Sequence, residues 1–193
     1  MLVRFAVGAL ALCMTSGVAE ARQARPDDIV TAFGAVCIAG ETGQTEELAR
    51  ADALGWRTTG VGAPKNFDPA TQRLSPSMGA ALVLTTMSQS SGREVRDSCG
   101  VSSLTPVEGV GDAVRNLFGF APIFVMARSA TFSVIRMGTT WQSAAMMDKA
   151  MVDAAKHDGR LYSVLVLDNG LRPPDGSDGY AVSLTFLRAK PGN

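Results

Sequence analysis

The chain reads as a single α+β domain, with about four helices packed on a mostly antiparallel sheet of five to six strands and one disulfide. Three observations carry this reading. Apolar residues recur at helical spacing in 29–37 and again in 107–118 and 141–155. Two-residue alternation marks 93–101 and 180–187, the signature of half-buried strands. Two cysteines, Cys37 and Cys99, remain once an export signal is set aside.

That signal is residues 1–21. Arg4 supplies a positive start, 5–14 is a short apolar stretch, and Ala19-Glu20-Ala21 presents small residues where a signal peptidase reads. The stretch is too short for a membrane span, so cleavage near Ala21 is expected to deliver residues 22–193 as a single periplasmic or secreted domain. Cys13 lies within the apolar stretch, and Leu12 stands where a lipoprotein signal wants a small residue. The full chain has 18 basic and 18 acidic residues; without Arg4 and Glu20 there are 17 of each. A neutral domain has no electrostatic reason to bind nucleic acid or an anionic membrane surface. No second apolar run approaches the roughly 18 residues of a membrane helix.

Pro26 suits the first turn of a helix, Asp27 and Asp28 complement its dipole, and Ile29, Val30, Phe33, Val36 and Cys37 form its inner face. A second helix fits 44–54, capped by Thr42 or Thr45, with Glu46 and Glu47 in its first turn and Gly55 at its end. Trp56 is expected to fold back onto that end. Residues 57–80 read as an extended loop with a short strand near 57–61, either a ligand-facing lid or a surface wrap held by Phe67 and Leu74. Residues 81–87 and 93–101 read as a hairpin around 88–92, with Val95, Asp97, Cys99 and Val101 on one face.

Thr105-Pro106-Val107-Glu108 predicts a capped helix running to Gly119. Residues 122–137 hold two β-prone pieces, 123–127 and 131–136, which form one bent strand or a hairpin around Arg128-Ser129-Ala130. Thr139 or Thr140 is expected to cap a fourth helix ending near His157, with Trp141, Ala144, Met147, Met151 and Val152 inside. Residues 160–167 and 179–187 complete the sheet, joined by a loop across 168–178.

Two cysteines in an exported domain most simply form one bond. Closing a loop of about 60 residues constrains the unfolded chain by roughly 4 kcal/mol. There is no C-x-x-C pair to suggest redox chemistry. His157 is the only histidine and sits where it meets a helix dipole; one histidine and two bonded cysteines leave too few ligands for zinc. No G-x-S-x-G surrounds any serine, and Gly60-Val61-Gly62 and Gly109-Val110-Gly111 do not complete G-x-G-x-x-G. Asp175 and Asp178 lack calcium-loop spacing. Asp148 and Asp153 do not share a helix face and read as solvated charges. Met146, Met147 and Met151 read as core. No catalytic, cofactor-binding or metal-binding residue is assigned, and no cofactor is expected.

Val36-Cys37, Gly55-Trp56 and Ser98-Cys99-Gly100-Val101 together resemble small exported proteobacterial proteins with a Cys…Gly-Trp…Cys pattern and no assigned activity. The likeness covers roughly 30–120 and implies a disulfide-linked envelope domain. The expected role is therefore binding, of an envelope protein or a small ligand. The alternatives are a cell-wall hydrolase acting through two carboxylates in one cleft, or an enzyme inhibitor that presents 60–78 as a wedge.

Overall fold

Pro26 occupies the first turn of the first helix, and Asp28 closes its start by accepting the Arg25 backbone N–H at 2.9 Å. The structure is a computed structural model that describes residues 23–40, 43–60, 63–76, 82–90, 94–169 and 180–191. Residues 1–21, Gly62, and the loop bearing Asp175 and Asp178 lie outside the described residues. The helix, α1 (Pro26–Val36), buries Ile29, Phe33 and Val36. Helix α2 (Gln44–Ala53) starts at Gly43, and Thr45 does not cap it. Gly55 takes the left-handed conformation (φ +77°) that turns the chain back. The Trp56 N–H then bonds the Ala51 carbonyl at 3.0 Å, which seats the indole in the core as expected.

The first strand, β1 (Gln72–Leu74), lies later than 57–61. Residue 57 contributes only a bridge, in which Arg57 and Leu74 exchange backbone bonds of 2.9 and 2.8 Å. Strands β2 (Leu82–Ser90) and β3 (Glu94–Ser103) form the expected hairpin, with Asp97, Cys99 and Val101 buried.

Helix α3 (Val110–Phe118) begins five residues after Thr105, and the expected cap does not form. The Ser103 hydroxyl accepts the Thr105 N–H (3.2 Å) and donates to the Thr105 carbonyl (2.8 Å). That local turn spends the backbone groups a helix start needs. The chain enters the helix instead through Gly109 at φ +80°. Gly119 ends it, as expected.

Residues 122–137 form a hairpin, β4 (Phe124–Met126) and β5 (Ser129–Met137), joined by Ala127 and Arg128. A second tight turn, Gly138 (φ +63°) and Thr139, returns the chain as β6 (Thr140–Ser143), which overturns the helix expected from Thr139 or Thr140. The two-residue turn with its positive-φ glycine suits a tight hairpin, and residues 140–143 pair with β5 in place of helical bonding. A 3-10 turn (Ala144–Met146) follows. Helix α4 (Lys149–His157) starts only where the Asp148 side chain accepts the Met151 N–H at 2.8 Å. Strands β7 (Leu161–Asp168) and β8 (Val182–Pro191) close the fold.

The sheet has eight strands in the order β1-β2-β3-β8-β7-β5-β4, with β6 also on β5, and every described pairing is antiparallel. The excess over five or six comes from the short strands β1, β4 and β6. One face carries Cys99, Val101, Phe132, Val134, Val164, Leu184 and Phe186 beneath α1 to α3. Rings continue the core from Phe118 to Trp141 (5.9 Å), Tyr162 (5.3 Å) and Phe186 (4.6 Å). Residues of the opposite parity, Ile135 and Leu161, meet Ala155 and Val152 of α4. The rest of that face is rich in hydroxyls, with Ser102 donating to Ser183 at 2.9 Å.

Cys37 and Cys99 are bonded, 5.5 Å apart at Cα and fully buried, and join the end of α1 to β3. Beside them lies an ionic cluster. Arg188 donates to Asp97 Oδ2 (2.7 Å), and Ser88 donates to Asp97 Oδ1 (2.8 Å). From α2, Glu47 is buried against this group, with Oε1 accepting the Gly43 N–H at 3.3 Å and Oε2 lacking a hydrogen-bond partner among the described residues. Burial pushes its carboxyl up to about 7; the Gly43 amide, Arg50 and Arg188 oppose the shift and Asp97 adds to it.

Candidate binding surface at the β4 edge

Strand β4 ends the sheet, so its outer margin pairs with nothing among the described residues. A sheet margin presents backbone N–H and C=O groups that template another strand, and exposed edges are ordinarily kept short, charged or covered. This one is short but carries no charge. Ile123, Phe124, Val125 and Met126 are 50, 57, 60 and 65 % exposed. Four consecutive apolar side chains at that exposure form the longest such run among the described residues.

Register distributes them between the faces. Val125 pairs with Ala130, which pairs with Val166, so all three point toward the helix layer. Phe124 and Met126 point to the opposite face, beside Thr131 and Ser129. The hairpin turns at Ala127, whose φ of +51° makes it the one described non-glycine residue in the left-handed region. Such a conformation is uncommon for a side chain with Cβ and is tolerated where the surrounding pairing fixes it.

Val125, Ala130 and Val166 form the apolar wall of a cleft of about 530 Å³, whose other wall is the first turn of α3. The rim is charged. Arg128 pairs with Asp168 at 2.9 Å, Arg115 pairs with Asp112, and Glu108 stands exposed nearby. An apolar edge strand thus adjoins a cleft with an apolar wall and rim charges of both signs. That arrangement suits an extended peptide, whose backbone pairs with the edge while alternate side chains enter the cleft.

Gly109 to Gly111 line this cleft, and the other residues singled out for chemistry lie elsewhere. His157 is in the last turn of α4, its side chain 84 % exposed and Nδ1 3.5 Å from Asp158. Arg160 first, then His157, hydrogen-bonds Asp158 and holds its carboxyl below the usual range. Asp148 caps α4 and Asp153 pairs with Lys149 at 2.5 Å. Met146 is 86 % exposed and Met151 44 %, which overturns the core reading for both; Met147 alone packs, in part, under α4. Among the described residues of the 60–78 segment, Leu74 is fully buried within β1 and Phe67 is half-buried. Gly109 starts a helix and does not line a phosphate loop.

Carboxylates do gather in one cleft, Glu108, Asp112 and Asp168, yet arginines engage the last two. No group of three or more metal-ligating side chains occurs among the described residues. No described helix is long and apolar enough to cross a membrane. Comparison with protein-family models, with curated proteins and with solved structures gave no match.

Proposed function

We propose that this chain is an exported, non-enzymatic binding domain of the periplasm or extracellular space, and that it takes an extended segment of a partner protein as an added strand on β4. The observation that carries the reading is the uncharged, exposed edge 123–126 beside a cleft that shares Val125. Export is supported by Arg4, the apolar stretch 5–14 and Ala19-Glu20-Ala21, and by a Cys37–Cys99 bond of the kind that persists in oxidising compartments.

Selection of short random peptides against the purified protein, followed by calorimetry, tests it. Selected peptides are expected to alternate apolar residues. Val125→Lys should weaken them more than tenfold, since charge on an edge strand blocks strand addition. Met146→Lys, at a still more exposed apolar site on another part of the chain, should leave binding unchanged. Equal binding by the Val125→Lys protein contradicts the reading. So does a stable dimer that only Val125→Lys dissociates, because the edge would then serve a second copy.

A further inference from the structure

Helix α2 is seated on β2 and β3, independently of β4, and its own sequence gives it little apolar grip. Of its ten residues only Glu47 and Ala51 are buried. A helix that buries one alanine and one carboxyl gains little from leaving water, and a ten-residue helix is marginal alone. Polar groups therefore hold it. At its end, Arg73 of β1 donates to Asp52 at 2.6 Å, a hydrogen bond that keeps Asp52 below the usual carboxylate range. In its middle, Arg50 Nε donates to the Val36 carbonyl of α1 at 2.8 Å. Near its start, Glu47 is fully buried where Asp97 of β3 and Arg188 of β8 already form a pair.

The two protonation states of Glu47 act on this seat in opposite directions. Neutral, the carboxyl carries a hydroxyl that can donate, and Asp97 is the one negative charge beside Arg188. Ionised, it adds a second carboxylate to the group, and Oε2 meets no donor among the described residues. A buried charge without full hydrogen bonding favours any conformation that returns it to water. Burial comes first among the influences on Glu47, and Asp97 from β3 acts with it; the Gly43 amide, Arg50 and Arg188 act against them. From β2, Ser88 gives its hydroxyl to Asp97, and from α1 the Val36 carbonyl faces Arg50. His157, the only histidine, lies on α4, which packs on the opposite face of the sheet.

We propose that α2 is a pH-operated latch, seated on β2 and β3 while the Glu47 carboxyl is neutral and lifted about its Asp52–Arg73 end once that carboxyl ionises. The rest of the domain stays folded, held by the Cys37–Cys99 bond and the core beneath α1 and α3. The test is native-state amide exchange of the parent protein at pH 5 and pH 8, corrected for intrinsic rates and repeated in low urea. Amides 48–53 should lose protection about tenfold or more between the two pH values, because Glu47 ionises over that range. That loss should not depend on urea, the sign of a local opening, whereas amides of β7 and β8 should exchange only with a steep urea dependence. Glu47→Gln, which keeps the shape and cannot ionise, should hold α2 protection within about threefold between pH 5 and pH 8. The parent protein decides the matter even where that variant does not fold. Equal α2 protection at both pH values, or α2 amides that follow the urea dependence of β8, would overturn the proposal. So would a Glu47→Gln protein whose α2 loses protection with pH as the parent's does.

Discussion

Arg188 on β8 and Asp97 on β3 are direct register partners, and their side chains meet at 2.7 Å on the helix-covered face of the sheet, 13 and 4 % exposed. Removing one member of a buried ion pair strands the other, at a cost of about 3–5 kcal/mol. Arg188→Met is therefore expected to destabilise the fold by that amount in a urea titration. Asp97→Leu combined with Arg188→Met should recover at least half of the loss. A double variant as unstable as the sum of the two singles would show that the pair does not act as a unit.

Glu47 gives the domain a pH dependence of defined sign. Its folded-state value of about 7 stands above the ordinary 4.5, mainly through burial. Folding therefore disfavours the ionised carboxylate. The penalty is absent below the unfolded value, grows between 4.5 and 7, and is complete above 7. At 1.36 kcal/mol for each pKa unit its upper limit is roughly 3 kcal/mol. Glu47→Gln should stabilise the protein at pH 8 by up to that amount and change little at pH 4.5, as read by urea titrations of variant and parent. Equal effects at both pH values would contradict the burial of an ionisable group here.

The Cys37–Cys99 bond spans 62 residues and ties α1 to β3. Reduction, or Cys37→Ala with Cys99→Ala, is expected to lower stability by roughly 4 kcal/mol. Thermal unfolding with and without reductant measures this. An unchanged midpoint would mean that the packing of α1 holds without the bond.

Gly109 admits α3 at φ +80°, where a Cβ is disfavoured by roughly 1–2 kcal/mol. An added Cβ would meet only Pro26 Cγ, at an ordinary 3.6 Å. Gly109→Ala should therefore cost no more than the backbone preference. Thr105→Ala should cost less than the loss of a helix cap, because Thr105 caps nothing. The reverse ranking in chemical denaturation would restore the earlier helix start.

What was legible in the sequence follows from the range of the interactions. Alternation in 180–187 forecast that Val182, Leu184 and Phe186 would be buried, because one covered sheet face imposes period two. Helical spacing and Pro26 located α1. The count of cysteines anticipated their bond. Where two local patterns competed, the sequence misled. Thr105 to Glu108 satisfies a helix-cap signature, but Ser103 and Gly109 settle the outcome. Trp141, Ala144 and Met147 fit a helical stripe, yet the turn at Gly138 made a strand. The candidate surface was half visible. Residues 123–127 read as β-prone, but that they form a sheet margin is set by strand order, a property of the whole chain. Glu47 read as a first-turn charge, and its burial comes from the way α2 lies across β2 and β3.

The central claim is that β4 accepts a strand from a partner. The most direct measurement is the pattern of intermolecular backbone contacts by NMR between a selected peptide and the labelled protein. Strand addition should give amide and α-proton contacts from the peptide to Phe124, Val125 and Met126, with slowed amide exchange on that margin. Contacts confined to other strands, with exchange at 124–126 unchanged on saturation, would contradict it.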